Sequence, residues 1–409
     1  MKKDLSNLWF PFSVFFIIIC ITPSELHADD AHYKNMLIGE RAATMGGSYV
    51  AVSDDSTGCY YNPGGIAYAV GDSLSGSGNV MHQMKITYYE AIGTEDWIRD
   101  SEALVPNYFG VLKKFKSYSL CFSYVVPEAF IEHQDLVFEY PLRNIKKYYT
   151  SLHSEDITYL MGPSAAINLG DDFSIGLTLY YHYRSFMRQQ HYFLEETNGS
   201  YEIFYQSVQL REDGLMPKIG AQWSPINLLT VGVALDQTVL FNSPYQTDLS
   251  YHTSDNSSGS SSMSSATSNV KRNLPIHVAF GAAYFPTPSQ LYTFDIDFYQ
   301  SQEKGRADVI NYSGGTEYFV NPTNALRFGL FTNFDNRPTP DSKTTAPYDY
   351  IDLYGASFGY TSYSSSSSLT LGAIYTTGNG KAWLHSGSTE SRKMTRDSLT
   401  FLFSASSNL

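Results

Sequence analysis

Apolar residues alternate with small or polar residues along most of this chain. In 173–184 every odd-numbered residue is apolar or aromatic, and most even-numbered residues are small or polar. The same period of two recurs in 276–284, 292–299 and 326–330. Because successive side chains of a β-strand point to opposite faces, the pattern predicts strands that each have one apolar face. Such strands fit a soluble β-sandwich or a membrane barrel, and the alternation alone does not separate the two.

The lengths of the connections separate these two folds. Some predicted strands are joined by short turns rich in Gly, Pro, Asn, Asp or Ser, at 170–172, 224–227, 286–289, 321–323 and 361–368. Much longer polar segments lie between these pairs, at 128–154, 187–205, 241–272, 335–350 and 378–395. Short turns on one side and long loops on the other are typical of a transmembrane antiparallel β-barrel and not of a sandwich.

The same segmentation predicts the number of strands. The first strand is expected near 72–90 and the last near 396–406. Between them lie six hairpins with short turns, at 104–127, 155–186, 206–240, 273–301, 308–335 and 350–377. The total is about fourteen strands, an even number that leaves both ends of the barrel on one side. We therefore predict an all-β fold in which the barrel domain spans 71–409.

The start of the chain has the order of a secretory signal peptide. A positively charged start (1–3) precedes an apolar run at 8–21, and a cleavage site follows at Ala28. This run is shorter than the ~20 residues that a spanning helix needs. A lipoprotein signal at Cys20 is the alternative, which we disfavour because Ile19 is bulky. Export without a later spanning run, together with 15% aromatic residues, predicts a barrel in a Gram-negative outer membrane.

The segment 29–70 does not share the alternation of the barrel. It is rich in small residues and contains a helix-start signal at 54–56. Near its end it reads Tyr61-Asn62-Pro63-Gly64-Gly65. Small residues and turn residues suit compact packing in a confined space, so we predict a hatch inside the barrel lumen. A flexible leader is the alternative.

The run from Gly39 to Ala67 resembles the N-terminal region of the FadL/TodX family of outer-membrane transporters for hydrophobic compounds. In that family a stretch of small residues ends in Tyr or Phe followed by Asn-Pro-Ala-Gly, and this chain has Gly64 in place of the usual Ala. The match covers about thirty residues. The resemblance implies a fourteen-stranded barrel plugged by an N-terminal hatch. It also implies passive diffusion of compounds such as long-chain fatty acids, with lateral release through a kink in an early strand.

Two prolines and one apolar group are candidates for the path of such a compound. Pro106 and Pro127 fall in the second and third predicted strands, where a residue without an amide hydrogen interrupts the ladder, so either is a candidate wall kink. The predicted loop 128–154 offers a candidate ligand groove made of Phe130, Ile131, Leu136 and Phe138. The alternative is that this segment extends the strands above the membrane.

The chain has three cysteines, one of them in the predicted signal peptide, so it is not a disulfide scaffold. Cys121 shares the small, polar face of its strand with Ser119 and Ser123, which predicts that it points into the lumen. Cys59 belongs to the predicted hatch. In an oxidising compartment we hypothesise a disulfide between Cys59 and Cys121 that links hatch and wall. Two buried free thiols are the favoured alternative, because disulfide geometry allows only a narrow range of distances and angles.

Patterns that would indicate catalysis or metal binding are incomplete in this sequence. The run 71–74 spells the block of GDSL-type esterases, but no Asp-x-x-His follows to supply a base. The ten histidines show no metal-binding spacing. Polar groups predicted to face the lumen are His182, His277, Asp295 and Asp297. A paired-carboxylate catalytic site is the alternative for the two aspartates. We predict no enzyme activity, no metal ion and no cofactor.

The net charge of −13, without a basic patch, argues against nucleic acid as a partner, and we predict none. Three function classes remain. Transport of hydrophobic small molecules, such as long-chain fatty acids or hydrocarbons, through a barrel embedded in outer-membrane lipid is favoured. A related barrel that anchors secreted or surface proteins is the second class. A general porin is the third, and the predicted hatch counts against it.

Overall fold

The structure is a computed structural model that describes residues 31–142, 144–255, 258–338, 348–384 and 391–409. The predicted signal peptide (1–28) lies outside the described residues, as do parts of the predicted loops 335–350 and 378–395. Within the described part, the helices that precede the strands are α1 (Glu40–Thr44), α2 (Gly58–Tyr61) and a 3-10 helix (Pro63–Tyr68).

Antiparallel strands follow, and the described residues form a single sheet of seventeen elements. Their bounds are β1 (Ser73–Ile92), β2 (Glu95–Lys114), β3 (Tyr118–Leu142), β4 (Ile145–Asn168), β5 (Phe173–Glu196), β6 (Tyr201–Ile226), β7 (Leu229–Gln237), β8 (Val239–Asn242), β9 (Pro244–Ser254), β10 (Gly259–Asn269), β11 (Ile276–Thr287), β12 (Gln290–Gln300), β13 (Val309–Asn321), β14 (Asn324–Asn333), β15 (Tyr348–Tyr363), β16 (Ser367–Trp383) and β17 (Arg392–Asn408).

The sheet closes on itself because β1 pairs with β17 as well as with β2. Three of the elements, β7, β8 and β9, follow one another along β6 and act as one strand of the wall. Likewise, β10 pairs with β9 and β11 pairs with β7, so these two make the next wall strand. The described wall therefore has fourteen strands, which confirms the predicted fourteen-stranded antiparallel barrel.

The two faces of the wall differ as the alternation predicts. On β3, Leu120 and Phe122 are 43% and 50% exposed, whereas Ser119, Cys121 and Ser123 are buried on the other face. Outward Leu, Ile, Phe and Tyr side chains are similarly exposed on β5, β12, β14 and β16. A soluble sandwich would bury its apolar face, so this exposed belt is the surface of a transmembrane barrel. Separately, none of the helices in the described ranges is both long and apolar enough to cross a membrane.

The prediction of long loops at 128–154 and 187–205 is wrong, and the alternative of extended strands is right. β3 runs to Leu142 and β4 starts at Ile145, while a short turn at 197–200 joins β5 to β6. Aromatic pairs across neighbouring strands stabilise these extensions, as where the rings of Tyr192 and Phe204 stack with centroids 5.0 Å apart. Long polar runs that keep a period of two are therefore strands here.

The Ser-rich segment 241–272 is also largely strand. β9 and β10 pair along their whole described length, from Pro244 with Asn269 to Ser254 with Gly259. The prediction of a loop fails because ladder hydrogen bonds join backbone groups and do not require apolar side chains.

Candidate functional site

The segment 31–70, here called the lumen segment, lies inside the ring of strands. Its 3-10 helix packs against β3, β4, β5 and β6, whereas α1 packs against β14, β15, β16 and β17. Most of its residues are buried, and Ile38, Tyr49 and Asn62 are 0% exposed. The lumen segment therefore contacts separate parts of the wall across the interior.

Asn62 fastens the lumen segment to itself and to β6. Its side-chain Nδ2 donates hydrogen bonds to the carbonyl of Val50 at 2.7 Å and to that of Ala221 at 2.9 Å. Its Oδ1 accepts a hydrogen bond from the amide of Gly64 at 3.0 Å. A Cβ on Gly64 would lie 3.0 Å from the Cα of Ala221, so a residue larger than Gly requires the wall to shift. Gly64, which stands where the family usually has Ala, is thus packed closely against β6.

The residues on either side of Asn62 also have defined contacts. The Tyr61 hydroxyl donates to the carbonyl of Ile38 and accepts from its amide, both at 3.1 Å. Pro63 opens the 3-10 helix, where its missing amide hydrogen has no cost. Gly65 lies against Ser53, which a Cβ would strike. All five residues of the predicted motif thus lie in one packed turn of the lumen segment.

Acidic side chains of the wall contact the lumen segment through hydrogen bonds and an ion pair. The Oδ2 atom of Asp295 accepts hydrogen bonds from the amides of Tyr49 at 2.6 Å and Val50 at 2.9 Å. Asp297 forms an ion pair with Lys34. The two aspartates therefore contact the lumen segment, as expected for polar wall groups.

A further ion pair involves Glu317 of β13. Arg41 of α1 donates two hydrogen bonds to its carboxylate, both at 2.9 Å, and Arg327 of β14 donates another at 2.5 Å. Paired donors in a fork are among the stronger charge-assisted hydrogen bonds. α1 is thus fixed to β13 by a buried carboxylate with two arginine partners.

The predicted lumen histidines have carboxylate neighbours in the wall. The Nδ1 of His277 lies 2.9 Å from Asp236, and its Nε2 lies 3.0 Å from Asp297. The Nε2 of His182 lies 3.8 Å from Glu212. Each imidazole is therefore part of the polar lining of the lumen.

Cys59 of α2 and Cys121 of β3 are joined by a disulfide in the structure, with their Cα atoms 6.9 Å apart. Both residues are buried between the lumen segment and the wall. This is the pair that we hypothesise from the sequence, and it crosses from the lumen segment to β3.

The ladder between β2 and β3 is interrupted. Pairing extends from Lys114–Ser119 to Tyr108–Val125 and is next found at Ser101–Glu132. We call the unpaired stretch, residues 102–107 of β2 and 126–131 of β3, the wall gap. Pro106 and Pro127 lie on its two sides, and neither can donate an amide hydrogen to the ladder. The two candidate kink residues therefore fall at the same interruption.

An apolar cluster lines the interior at the wall gap. It contains Ala103, Val105 and Tyr108 of β2, Val125, Val126 and Ala129 of β3, Leu160, Tyr180 and Met216 of neighbouring strands, and Met36 and Ile38 of the lumen segment. We call this set the gap cluster. Two of its members, Met36 and Ile38, come from the lumen segment, so that segment packs against the inner side of the wall gap.

A second apolar cluster lies on the inner side of β1, β15, β16 and β17. It is made of Met84, Ile86, Tyr88, Ala91, Ile351, Leu353, Ala382 and Met394. Here it is called the upper cluster. Phe130 packs against the upper cluster, whereas its neighbour Ile131 packs against the gap cluster. β3 thus contacts both clusters at adjacent residues.

The four residues of the candidate ligand groove are not brought together as one surface. Phe130 and Ile131 join the two apolar clusters, but Leu136 and Phe138 belong to neither. Phe138 instead lies beside Tyr148 of β4, with ring centroids 6.1 Å apart. The groove prediction assumed a folded loop, whereas an extended strand spreads these residues along its length.

The sequence patterns do not identify the polar residues at the edges of the wall gap. Asn107 donates a hydrogen bond from Nδ2 to the carbonyl of Leu37 at 3.0 Å and accepts one from Ser77 at 2.6 Å. Arg99 donates hydrogen bonds of 2.8 and 2.6 Å to the carboxylate of Glu132 where the β2–β3 ladder resumes. In the structure Asn107 and Tyr108 are consecutive buried residues, so the alternation of β2 breaks here. The only sign of this in the sequence is that both residues directly follow Pro106.

No protein-family model and no curated protein matches this chain, but solved structures match its fold. The P. putida toluene transporter TodX aligns with a TM-score of 0.66 and 13% identity, covering 92% of this chain and 99% of TodX. A Pseudomonas aeruginosa FadL homologue aligns with a TM-score of 0.64 and 13% identity, covering 92% of this chain and 100% of the homologue. The CymD monoaromatic hydrocarbon channel aligns at 0.60 and 13%, covering 91% and 97%. The chain therefore has the fold of FadL/TodX-type barrels.

Proposed function

We propose that this chain is a passive channel for hydrophobic small molecules in the outer membrane of a Gram-negative bacterium. In this proposal the lumen segment is a hatch that closes the barrel. Compounds pass from the upper cluster to the gap cluster and leave sideways through the wall gap into the membrane. The observation that carries the proposal is that the ladder is interrupted where the interior is lined by the gap cluster.

Physical chemistry supports a functional reason for the wall gap. Lipid offers no partner to an unpaired amide or carbonyl, so an interruption of a membrane-facing ladder is costly. An apolar solute gains ~0.8 kcal/mol for each methylene that leaves water. Phe130 packs against the upper cluster and Ile131 against the gap cluster. The two clusters therefore offer an apolar solute an energetically favourable path that requires no specific reaction.

The chemistry of the clusters favours uncharged apolar substrates. Aromatic and aliphatic side chains dominate both clusters, which suits hydrocarbons and acyl chains equally. TodX and CymD are described as transporters of toluene and monoaromatic hydrocarbons, and the fold is shared. We therefore propose monoaromatic hydrocarbons as the first substrates to test and long-chain fatty acids as the second.

Uptake by intact cells tests the proposal. We expect a Gram-negative host that lacks its own transporter of this type to take up radiolabelled toluene or oleate faster when it carries this chain. A host with the empty vector measures background permeability. If cells with and without the chain take up each compound at the same rate, the proposal is contradicted and an anchoring role for the barrel is favoured.

We further propose that the Cys59–Cys121 disulfide tethers the hatch to β3 in the mature protein. Alkylation of unfolded, unreduced protein should leave both cysteines unmodified, because a disulfide has no thiolate to react. The Cys59→Ser variant is the matched control, in which Cys121 should become labelled. Intact mass spectrometry gives the number of labels. Labelling of both residues before reduction would disprove the tether.

A further inference from the structure

Two histidines face each other on the outer surface of the β3–β4 hairpin. His133 of β3 lies directly opposite His153 of β4 in the antiparallel register. Their ring centroids are 3.9 Å apart, and their Nδ1 atoms are in hydrogen-bond contact. Glu155 lies two residues along β4 on the same face, with its Oε1 atom 3.5 Å from the Nε2 of His153. The register therefore brings His133 of β3 beside His153 and Glu155, which belong to the neighbouring strand β4.

These donors have the spacing of a metal site. One ring nitrogen from each histidine and a carboxylate oxygen of Glu155 all lie within 4.8 Å of one another. In the described ranges of the chain, no other group of three His, Cys, Asp or Glu residues meets this condition. Two imidazoles and a carboxylate form a known zinc donor set, which leaves a fourth position for water. We propose that His133, His153 and Glu155 bind a divalent transition-metal ion, with Zn²⁺ as the favoured ion.

The environment of the three side chains permits binding from solution. The side chains of His153 and Glu155 are 35% and 43% exposed, and His133 is exposed. Zinc binds nitrogen and oxygen donors at about 2.0–2.2 Å, so small rotations of these surface side chains bring the donors to a common centre. The site lies further along β3 than the exposed apolar residues Leu120 and Phe122. Water and ions reach it on the side of the long hairpins.

The proposed metal site lies next to one end of the wall gap. His133 follows Glu132, which pairs with Ser101 where the β2–β3 ladder resumes. An ion shared by His133 and His153 would link β3 to β4 at this end of the gap. The metal site is inferred from its own geometry and does not depend on the proposed transport function.

Zinc titration of the full-length protein in detergent tests the proposal. After removal of metals with a chelator, isothermal titration with Zn²⁺ should show one saturable site per chain. His133→Gln and His153→Gln should each weaken binding at least about tenfold, because each removes a ligand. Glu155→Gln should weaken it less, since the amide oxygen remains a donor.

His252→Gln is the matched control. His252 is a half-buried histidine of β9 and therefore lies outside the β3–β4 hairpin that carries the proposed site. Its Nε2 lies 3.4 Å from the hydroxyl of Tyr201. This variant should bind Zn²⁺ as the unaltered chain does. Absence of a saturable site at micromolar Zn²⁺ would overturn the proposal. So would an affinity in both His133→Gln and His153→Gln that equals the affinity of the unaltered chain. The two histidines would then be a metal-free, hydrogen-bonded pair.

Discussion

Filling the wall gap from inside should reduce uptake of hydrophobic compounds about tenfold or more while leaving the barrel folded. Ala103 and Ala129 are small, buried members of the gap cluster on β2 and β3. In Ala129→Phe, a ring occupies the space through which a solute must pass. An added barrier of about 1.4 kcal/mol is sufficient for a tenfold lower rate. Uptake of labelled toluene or oleate, normalised to the amount of barrel in the membrane, measures the effect.

Leu104→Phe is the control for this experiment. Leu104 lies in the same unpaired stretch of β2, but its side chain points outward and is 74% exposed. A larger side chain there meets lipid and should leave uptake unchanged. Overpacking of an interior site costs about 1–3 kcal/mol, so Ala103→Leu is a milder second variant that should reduce uptake partially. Normal uptake by folded Ala129→Phe protein would exclude the wall gap as the exit.

The strand count was predictable because each wall strand obeys a local rule. Outward side chains meet lipid and inward ones meet a crowded, polar interior, so every strand must alternate wherever it lies in the barrel. The pairs Leu120 with Cys121 and Phe122 with Ser123 show this rule on β3. A property that each strand must satisfy by itself can be identified without knowing the neighbours.

The length of the strands was not predictable by the same rule. Outside the membrane both faces of a strand are polar or mixed, and the contrast between faces disappears. In Pro244–Ser254 and Gly259–Asn269, backbone pairing continues although most side chains are Ser, Thr or Asn. Composition therefore predicted loops where pairing with a neighbouring strand decides the structure.

The wall gap was predictable in part because single residues carry their own constraint. Pro106 and Pro127 cannot donate an amide hydrogen to a ladder, and both lie at the wall gap. By contrast, Asn107 contacts Leu37, and His133 contacts His153, through pairings that the local sequence does not encode. Such contacts depend on the register of separate strands and on the path of the lumen segment.

Displacing the lumen segment should convert a closed barrel into an open one. Gly315 of β13 faces inward, and a Cβ there would lie 2.6 Å from the Cβ and the carbonyl oxygen of Met45. Gly315→Val therefore forces Met45 and the end of α1 away from the wall. If the lumen segment is a hatch, single-channel conductance in planar bilayers should rise from a nearly closed level to that of a wide pore. Deletion of 31–70 should give the same or a larger conductance.

Gly314→Val is the matched control one residue away. A Cβ on Gly314 would meet only ordinary contacts, at 3.6 Å from the carbonyl of Thr293 and 4.0 Å from Phe294. The two variants add the same side chain to the same strand, so a difference between them reports contact with the lumen segment. Low conductance in Gly314→Val and high conductance in Gly315→Val are expected. Equal, high conductance in the unaltered chain and both variants would identify an open porin and disprove the hatch.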